Sequence, residues 1–339
     1  MLGIPQLALR VSVLGSAGLI AAWLATLNVA TAAAPPVTDV WLDVDTATGY
    51  TDVDDGLALI QAFHSHELCV RGVSVVFGNT SLERAEPIAR EIATRFGPPG
   101  LAVHRGAASA REFAQENPAV CALAAALAER PLTILALGPV TNVGTLVRRH
   151  PELHGRIERI VIVAGRRAGQ RFTNGEKQTV PHRDFNFELD PAAMQAILDT
   201  EIPLVFAPWE VSSHVWITRD DLAALHRTGG SGAWITETSQ YWIAQWEKKL
   251  TNRGFNPFDT LAVGWVTHPS LIQSMRVTAR IEEGPDDRAA AGQAVRTKPY
   301  LIVEPVSADE VTREMIYCYE PQPGFKQILI QRLSGPNEL

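Results

Sequence analysis

Five aspartates, Asp43, Asp45, Asp52, Asp54 and Asp55, fall within thirteen residues of the segment WLDVDTATGYTDVDDGLAL, and no Lys or Arg lies among them. Carboxylates held a few Å apart raise one another's pKa, so they cannot all stay ionised unless positive charge joins them. A hard divalent cation is the simplest resolution. An oxygen-only donor set with no His or Cys nearby favours Ca2+ or Mg2+ over zinc. Part of the run has a plainer explanation, because Asp52 to Asp55 also suit the positive end of a helix dipole. That leaves Asp43 and Asp45 unexplained.

The elements around this segment alternate. VTDVWLDVD, CVRGVSVVFGN, LAVHRG, LTILALGP, RIERIVIVAG and IPLVFAPWEVS read as strands, with helical stretches 54–66, 82–96, 119–129, 141–149 and 191–199 between them. Strands separated by helices imply βαβ units and a mostly parallel sheet covered on both faces. The expected class is therefore α/β, an open, Rossmann-like sheet. Extra helices follow in the region 218–268, where Trp234, Trp242, Trp246 and Trp265 read as helix-packing residues. RVTARIEEG, KPYLIVEPV, EMIYCYEP and KQILIQRL read as short edge strands. No linker or repeat interrupts residues 33–339, which are expected to form a single domain.

Ligands in such sheets bind at the carboxyl ends of the strands. The first strand ends at Asp43 and Asp45, the second at Asn79 in FGNTS, and the fourth in ALGPVTN. The fifth opens into GRRAGQRFTNGEKQTVPHRDFNFELDP, a polar loop too long for a plain connection, which holds Asn174, His182, Asp184 and Asn186. Asp259 starts an apolar helix in GFNPFDTLAVGW. The D-x-D-x-T of Asp43 and Asp45 also matches the first motif of haloacid-dehalogenase-like phosphohydrolases. That chemistry needs a later acidic pair, for which GPDD (residues 284–287) is the only candidate.

With 339 residues, 46% hydrophobic and 20% charged, the chain can build a sizeable core. Residues 1–32 carry one charge, Arg10, then an apolar run and a small-residue A-x-A site, the pattern of a cleaved signal peptide and an exported, periplasmic or secreted protein. An uncleaved membrane anchor is the alternative reading of that run. Cleavage would make the mature chain one unit more acidic than the formal charge of -7, which argues against a nucleic-acid polymer as partner. Cys69, Cys121 and Cys318 lack zinc-site spacing, and one disulfide or three inert, buried thiols are both compatible with it. The composition leaves a homo-oligomer open.

Taken together and in order, LDVD...DVDDGLAL, VVFGNTSLERA, ILALGPVTNVG, RIVIVAG, DFNFELDPAA and FDTLAVGW resemble the inosine-uridine preferring nucleoside hydrolase family across residues 37 to about 270. The resemblance implies a Ca2+ at the strand ends and hydrolysis of the N-glycosidic bond of a ribonucleoside to ribose and free base. It implies Asp45, Asp55, Asp259 and the backbone carbonyl of Leu137 as ligands, with Asp43 behind them. Asp54, Asn79, Asn174, Asp184 and Asn186 would hold the sugar. Asp45 would activate the metal-bound water, and clustered carboxylates would favour the positive charge that develops on the ribose.

Three departures from the family pattern bear on function. The usual D-x-D-P-G-x-D-D is lengthened here by TATGYT, which leaves Asp52 without an assigned role. Asp184 stands where many members have Glu. Phe258 stands where the inosine-uridine group has the His that protonates the leaving base; an aromatic at this place resembles a purine-specific branch and implies stacking on a purine, with His182 as an alternative acid. A non-catalytic ribose or nucleoside binder on the same fold is the competing reading.

Overall fold

The computed structural model describes residues 37–174, 178–251, 253–289, 296–307 and 313–335. The expected signal segment lies outside the described residues. Among those described, no helix is long and apolar enough to cross a membrane.

The chain begins β1 (Thr38–Val44), α1 (Asp54–Phe63), β2 (Leu68–Val75), α2 (Leu82–Phe96), β3 (Val103–Arg105), α3 (Pro118–Glu129), β4 (Leu132–Ala136), α4 (Thr141–Arg149) and β5 (Ile157–Ile162). After the short β6 (Arg166–Arg167) come α5 (Phe185–Leu189), α6 (Pro191–Leu198), β7 (Leu204–Phe206) and α7 (Trp209–Ser212). A helical section follows with β8 (Ile217–Thr218), α8 (Arg219–Thr228), α9 (Gly230–Leu250), β9 (Gly254–Phe255) and α10 (Thr260–Thr267). The chain closes with β10 (Ile272–Pro285), β11 (Thr297–Pro305), β12 (Met315–Pro321) and α11 (Phe325–Ser334).

Ten strands form one sheet in the order β3-β2-β1-β4-β5-β7-β12-β10-β11-β6. It is parallel from β3 to β12, and the long β10 runs antiparallel to both β12 and β11. The order reverses between β1 and β4, so the crevice at their carboxyl ends is where a ligand is expected. Asp43 and Asp45 stand at one lip of that crevice and Leu137 at the other, joined by the Leu137 N–H donating to the Asp43 carbonyl at 2.8 Å.

Alternation along β1 divides its residues between two cores. Val40, Leu42 and Val44 pack with α1, α2 and the later helices, whereas Trp41 packs with α3, α4 and α6. Asp43 shares the Trp41 face, where polar groups are waiting for it.

KQILIQRL, expected as an edge strand, is the helix α11. Phe325, Leu329 and Leu333 repeat every four residues and are buried against α1 and the α8–α10 section, so a 3.6-residue period wins over the local β-branched composition. The three thiols are free of disulfides, so the disulfide alternative is not met; Cys318 is buried, Cys69 half-buried and Cys121 exposed, so the expectation of three buried thiols holds at Cys318 alone.

Candidate active site

The lengthened loop 46–51 turns outward. Gly49 takes a left-handed conformation (φ +87°), Tyr50 and Thr51 donate back to the Ala47 carbonyl at 2.9 and 3.1 Å, and Tyr50 projects into solvent. The ends of the loop therefore stay together. The Asp45 N–H donates to Asp55 Oδ1 at 3.1 Å.

Each aspartate is held by a different neighbour. Trp41 Nε1 donates to Ser74 Oγ at 2.8 Å, Ser74 Oγ donates to Asp43 Oδ1 at 2.5 Å, and Asn142 Nδ2 donates to the same oxygen at 2.8 Å. Asp45 Oδ2 accepts from the Asn79 N–H at 2.8 Å. That contact depends on Gly78, where a Cβ would lie 1.8 Å from Asp45 Oδ2. Asp54 and Asp55 open α1, and Asp259 immediately precedes α10 without a side-chain hydrogen bond to it. Half-buried Asp52 accepts from the Val53 N–H at 2.9 Å.

Asp54, Asp55 and Asp259 each bring one carboxylate oxygen to within 4.8 Å of the others. This group differs from the expected ligand set by holding Asp54 in the place of Asp45. None of the six carboxylates, at positions 43, 45, 52, 54, 55 and 259, forms an ion pair among the described residues. Burial dominates their protonation, pushing Asp43 up to about 6, Asp54 to about 7 and Asp45 to about 8, and raising Asp52, Asp55 and Asp259 as well. Asp55 Oδ2 is buried with no hydrogen-bond partner. An all-oxygen donor set with an orphaned buried carboxylate oxygen fits a hard divalent cation.

Above the carboxylates opens a cavity of about 590 Å3, within the range of small-molecule sites. Asp52, Asp54, Asn79, Leu137, Asp184, Asn186, Phe258 and Asp259 line it; Asp43, Asp45, Asp55 and Asn174 lie behind the lining. Asn186 Nδ2 donates to the Leu137 carbonyl at 2.6 Å and to the Val163 carbonyl at 3.1 Å, so this side chain fixes a carbonyl at the strand ends. Asp184 Oδ2 accepts from the Gly165 N–H at 3.0 Å. Asn174 Oδ1 accepts from Trp209 Nε1 at 2.6 Å, and its Nδ2 donates to Asn256.

Two aromatic groups form part of the remaining wall, which Arg183, Lys249 and Arg288 also line. Phe172 stacks on Trp209 with ring centres 4.9 Å apart; His182 stacks on Trp246, which packs against Phe258 and Trp242. Trp242 and Trp246 thus do more than pack helices, since both line the cavity. Phe172 and Trp209 carried no sequence signal beyond their aromatic character.

A model of the inosine-uridine preferring nucleoside hydrolase family matches residues 40–314. The chain belongs to this family. Family members are N-glycosidases that cleave ribonucleosides, and the phosphohydrolase alternative falls away. Its required acidic pair is engaged elsewhere: Asp286 and Asp287 are ion-paired with Lys298, and Asp287 also with Arg166. Among nucleoside hydrolases, the chain is 26% identical over 259 residues to the non-specific ribonucleoside hydrolases RihC of Shigella sonnei and of Escherichia coli O7:K1, a match spanning 69% of this chain and 80% of each relative.

Solved structures share the fold. The purine-preferring ribonucleoside hydrolase from Gardnerella vaginalis superposes with a TM-score of 0.72 at 19% identity, over 88% of this chain and 98% of that one. The inosine-uridine preferring nucleoside hydrolase from Bacillus anthracis superposes with a TM-score of 0.66 at 17% identity, over 88% and 99%.

Proposed function

We propose that this nucleoside hydrolase is an exported, Ca2+-dependent enzyme that releases the base from purine ribonucleosides in preference to pyrimidine ones. The observation that carries the reading is a buried cluster of carboxylates without cationic partners, opening on an aromatic-walled cavity. Asp55 and Asp259 would hold the cation with Asp54, the third carboxylate of the tight oxygen group, and Asp45 and the Leu137 carbonyl would complete the set, with Asp43 behind them. When bound, the cation neutralises the cluster and makes a nearby water more acidic.

Asp45 takes the proton from the water that attacks the anomeric carbon. As the bond to the base loosens, positive charge grows on the ribose, and the carboxylates around it favour that state. Asp54, Asn79 and Asp184 reach the sugar hydroxyls from the cavity wall; Asn174 and Asn186 brace that wall. Phe258 and Trp246 line the space for the base, and an aromatic lining suits the larger purine surface. Phe258 has no proton to give, so His182, the imidazole of this cavity, protonates the leaving base. Export is supported by the signal-like pattern of residues 1–32, and a mature N-terminus at Ala33 is the expected product.

The test is reducing-sugar release from inosine, adenosine and uridine under equal conditions. The reading expects inosine and adenosine to outpace uridine. Faster uridine would sink purine preference, and tight nucleoside binding without release would favour a binding protein.

A further inference from the structure

We infer that Arg166 on β6 is a positioning residue for the sugar site, a buried guanidinium that is fixed by β10 and β11 and keeps Asp184 able to accept from ribose hydroxyls. The inference rests on the reading that Asp184 binds ribose.

Arg166 is only 1% exposed. It lies between two rings, 4.1 Å from the Phe172 ring centre and 5.0 Å from that of Tyr300 on β11. Its Nη1 donates to Asp287 Oδ2 at 3.0 Å, just beyond β10, and Nη2 sits 3.8 Å from Glu188 Oε1 on α5. Nε and Nη2 nonetheless have no hydrogen-bond partner, although both are buried. A buried charge so incompletely satisfied is costly to the fold. Function gives a reason to retain it.

That reason lies next along the chain. Gly165, adjacent to Arg166, donates its N–H to Asp184 Oδ2, and the Asp184 N–H donates to Glu188 Oε1 at 3.0 Å. Lys298 Nζ on β11 bridges Glu188 Oε1 and Asp287 Oδ1 at 2.8 Å each. The charged and titratable groups facing Asp184 are therefore Arg166, Glu188, Lys298 and Tyr317 on β12. Burial pushes Asp184 up to about 6; Arg166 and Lys298 hold it down against Glu188. An ionised carboxylate accepts only, whereas a protonated one turns one oxygen into a donor. Arg166, with Lys298, thus lowers the pH above which Asp184 accepts from the sugar.

The experiment is KM and kcat for inosine from about pH 5 to about pH 9 with saturating Ca2+, in wild type, R166M, R166K, K298M and D184N. Loss of an opposite charge raises a carboxylate pKa by about one unit or more. KM of R166M should therefore rise on the order of tenfold on the acidic side and approach wild type on the alkaline side, with R166K close to wild type. K298M should shift the profile the same way by less, and it carries the comparison if R166M does not fold. In a D184N background, R166M should no longer move the KM profile. A KM raised equally at every pH, or a shift that survives in D184N, would overturn the inference. If wild type fails to hydrolyse inosine, the nucleosidase reading fails first; if it does so and the profiles coincide, only the role of Arg166 fails.

Discussion

The Asp45 backbone N–H reaches Asp55 Oδ1 at 3.1 Å across a loop longer than the family motif. The extra residues leave as an outward turn at Gly49 and return without separating the two aspartates. An insertion in the signature segment is therefore compatible with a closed carboxylate cluster, because a short turn closes on itself at little entropic cost.

Asp45 is the assigned base, and its amide isostere cannot take a proton. D45N is expected to lower kcat for inosine by about 10²- to 10⁴-fold while KM moves little. Rapid-quench or steady-state sugar release checks this; a kcat within a few-fold of wild type would remove Asp45 from the proton transfer.

The raised carboxylates fix the sign of a pH effect. A group whose folded pKa lies above its unfolded value stabilises the fold at low pH and loses that contribution as pH rises through the folded pKa. For Asp43, Asp54 and Asp45 that loss begins above the ordinary carboxyl value of 3.8 and is complete once pH has passed about 6, about 7 and about 8 respectively. Without a cation, the cluster should cost stability progressively as pH climbs through this range, and bound Ca2+ should cancel the cost. The melting-temperature difference between Ca2+-loaded and chelated protein should therefore widen from about pH 5 to about pH 8. A difference that is constant or narrows counts against a cation in this cluster.

Gly78 offers a steric test away from the carboxylates themselves. G78A places a methyl 1.8 Å from the present position of Asp45 Oδ2 and must displace either the carboxylate or the 78–79 backbone. Activity and the Ca2+-induced rise in melting temperature should both fall. G155A, where a Cβ meets nothing within 4 Å, is the matched control.

Leaving-group protonation separates His182 from Phe258. H182F keeps a ring on Trp246 but removes the proton, so inosine hydrolysis should slow by about 10²-fold or more, whereas p-nitrophenyl riboside, which leaves as a stable anion, should react nearly as before. F258A should instead weaken inosine more than uridine. Equal losses on inosine and the nitrophenyl substrate in H182F would make His182 a packing residue.

Much of the molecule was legible beforehand for physical reasons. Strands β1 to β5 and helices α2 and α4 are locally consistent, with buried apolar runs and clear periodicity; Asp43, Asp45 and Asn79 follow from the rule of strand ends, and Leu137 from the family resemblance. The remainder depends on long-range packing. α11 looked strand-like because its β-branched residues were visible and its burial partners were not. Membership of Asp54 in the tight oxygen group depends on how α1 meets α10. Arg166 carries no signal of its own in the long polar loop, and its burial depends on residues distant in sequence, Asp287 and Tyr300 among them. Trp209 and Phe172 join the cavity through a fold-dependent stack that no spacing encodes.

The most direct measurement is a Ca2+ titration of chelator-stripped protein, following sugar release from inosine and the melting temperature in the same samples. The expected result is that both rise together with one midpoint, and that D259N abolishes both. Undiminished hydrolysis by the stripped protein, or a melting temperature that ignores Ca2+, would contradict the assignment of the aspartate cluster as the cation site of this hydrolase.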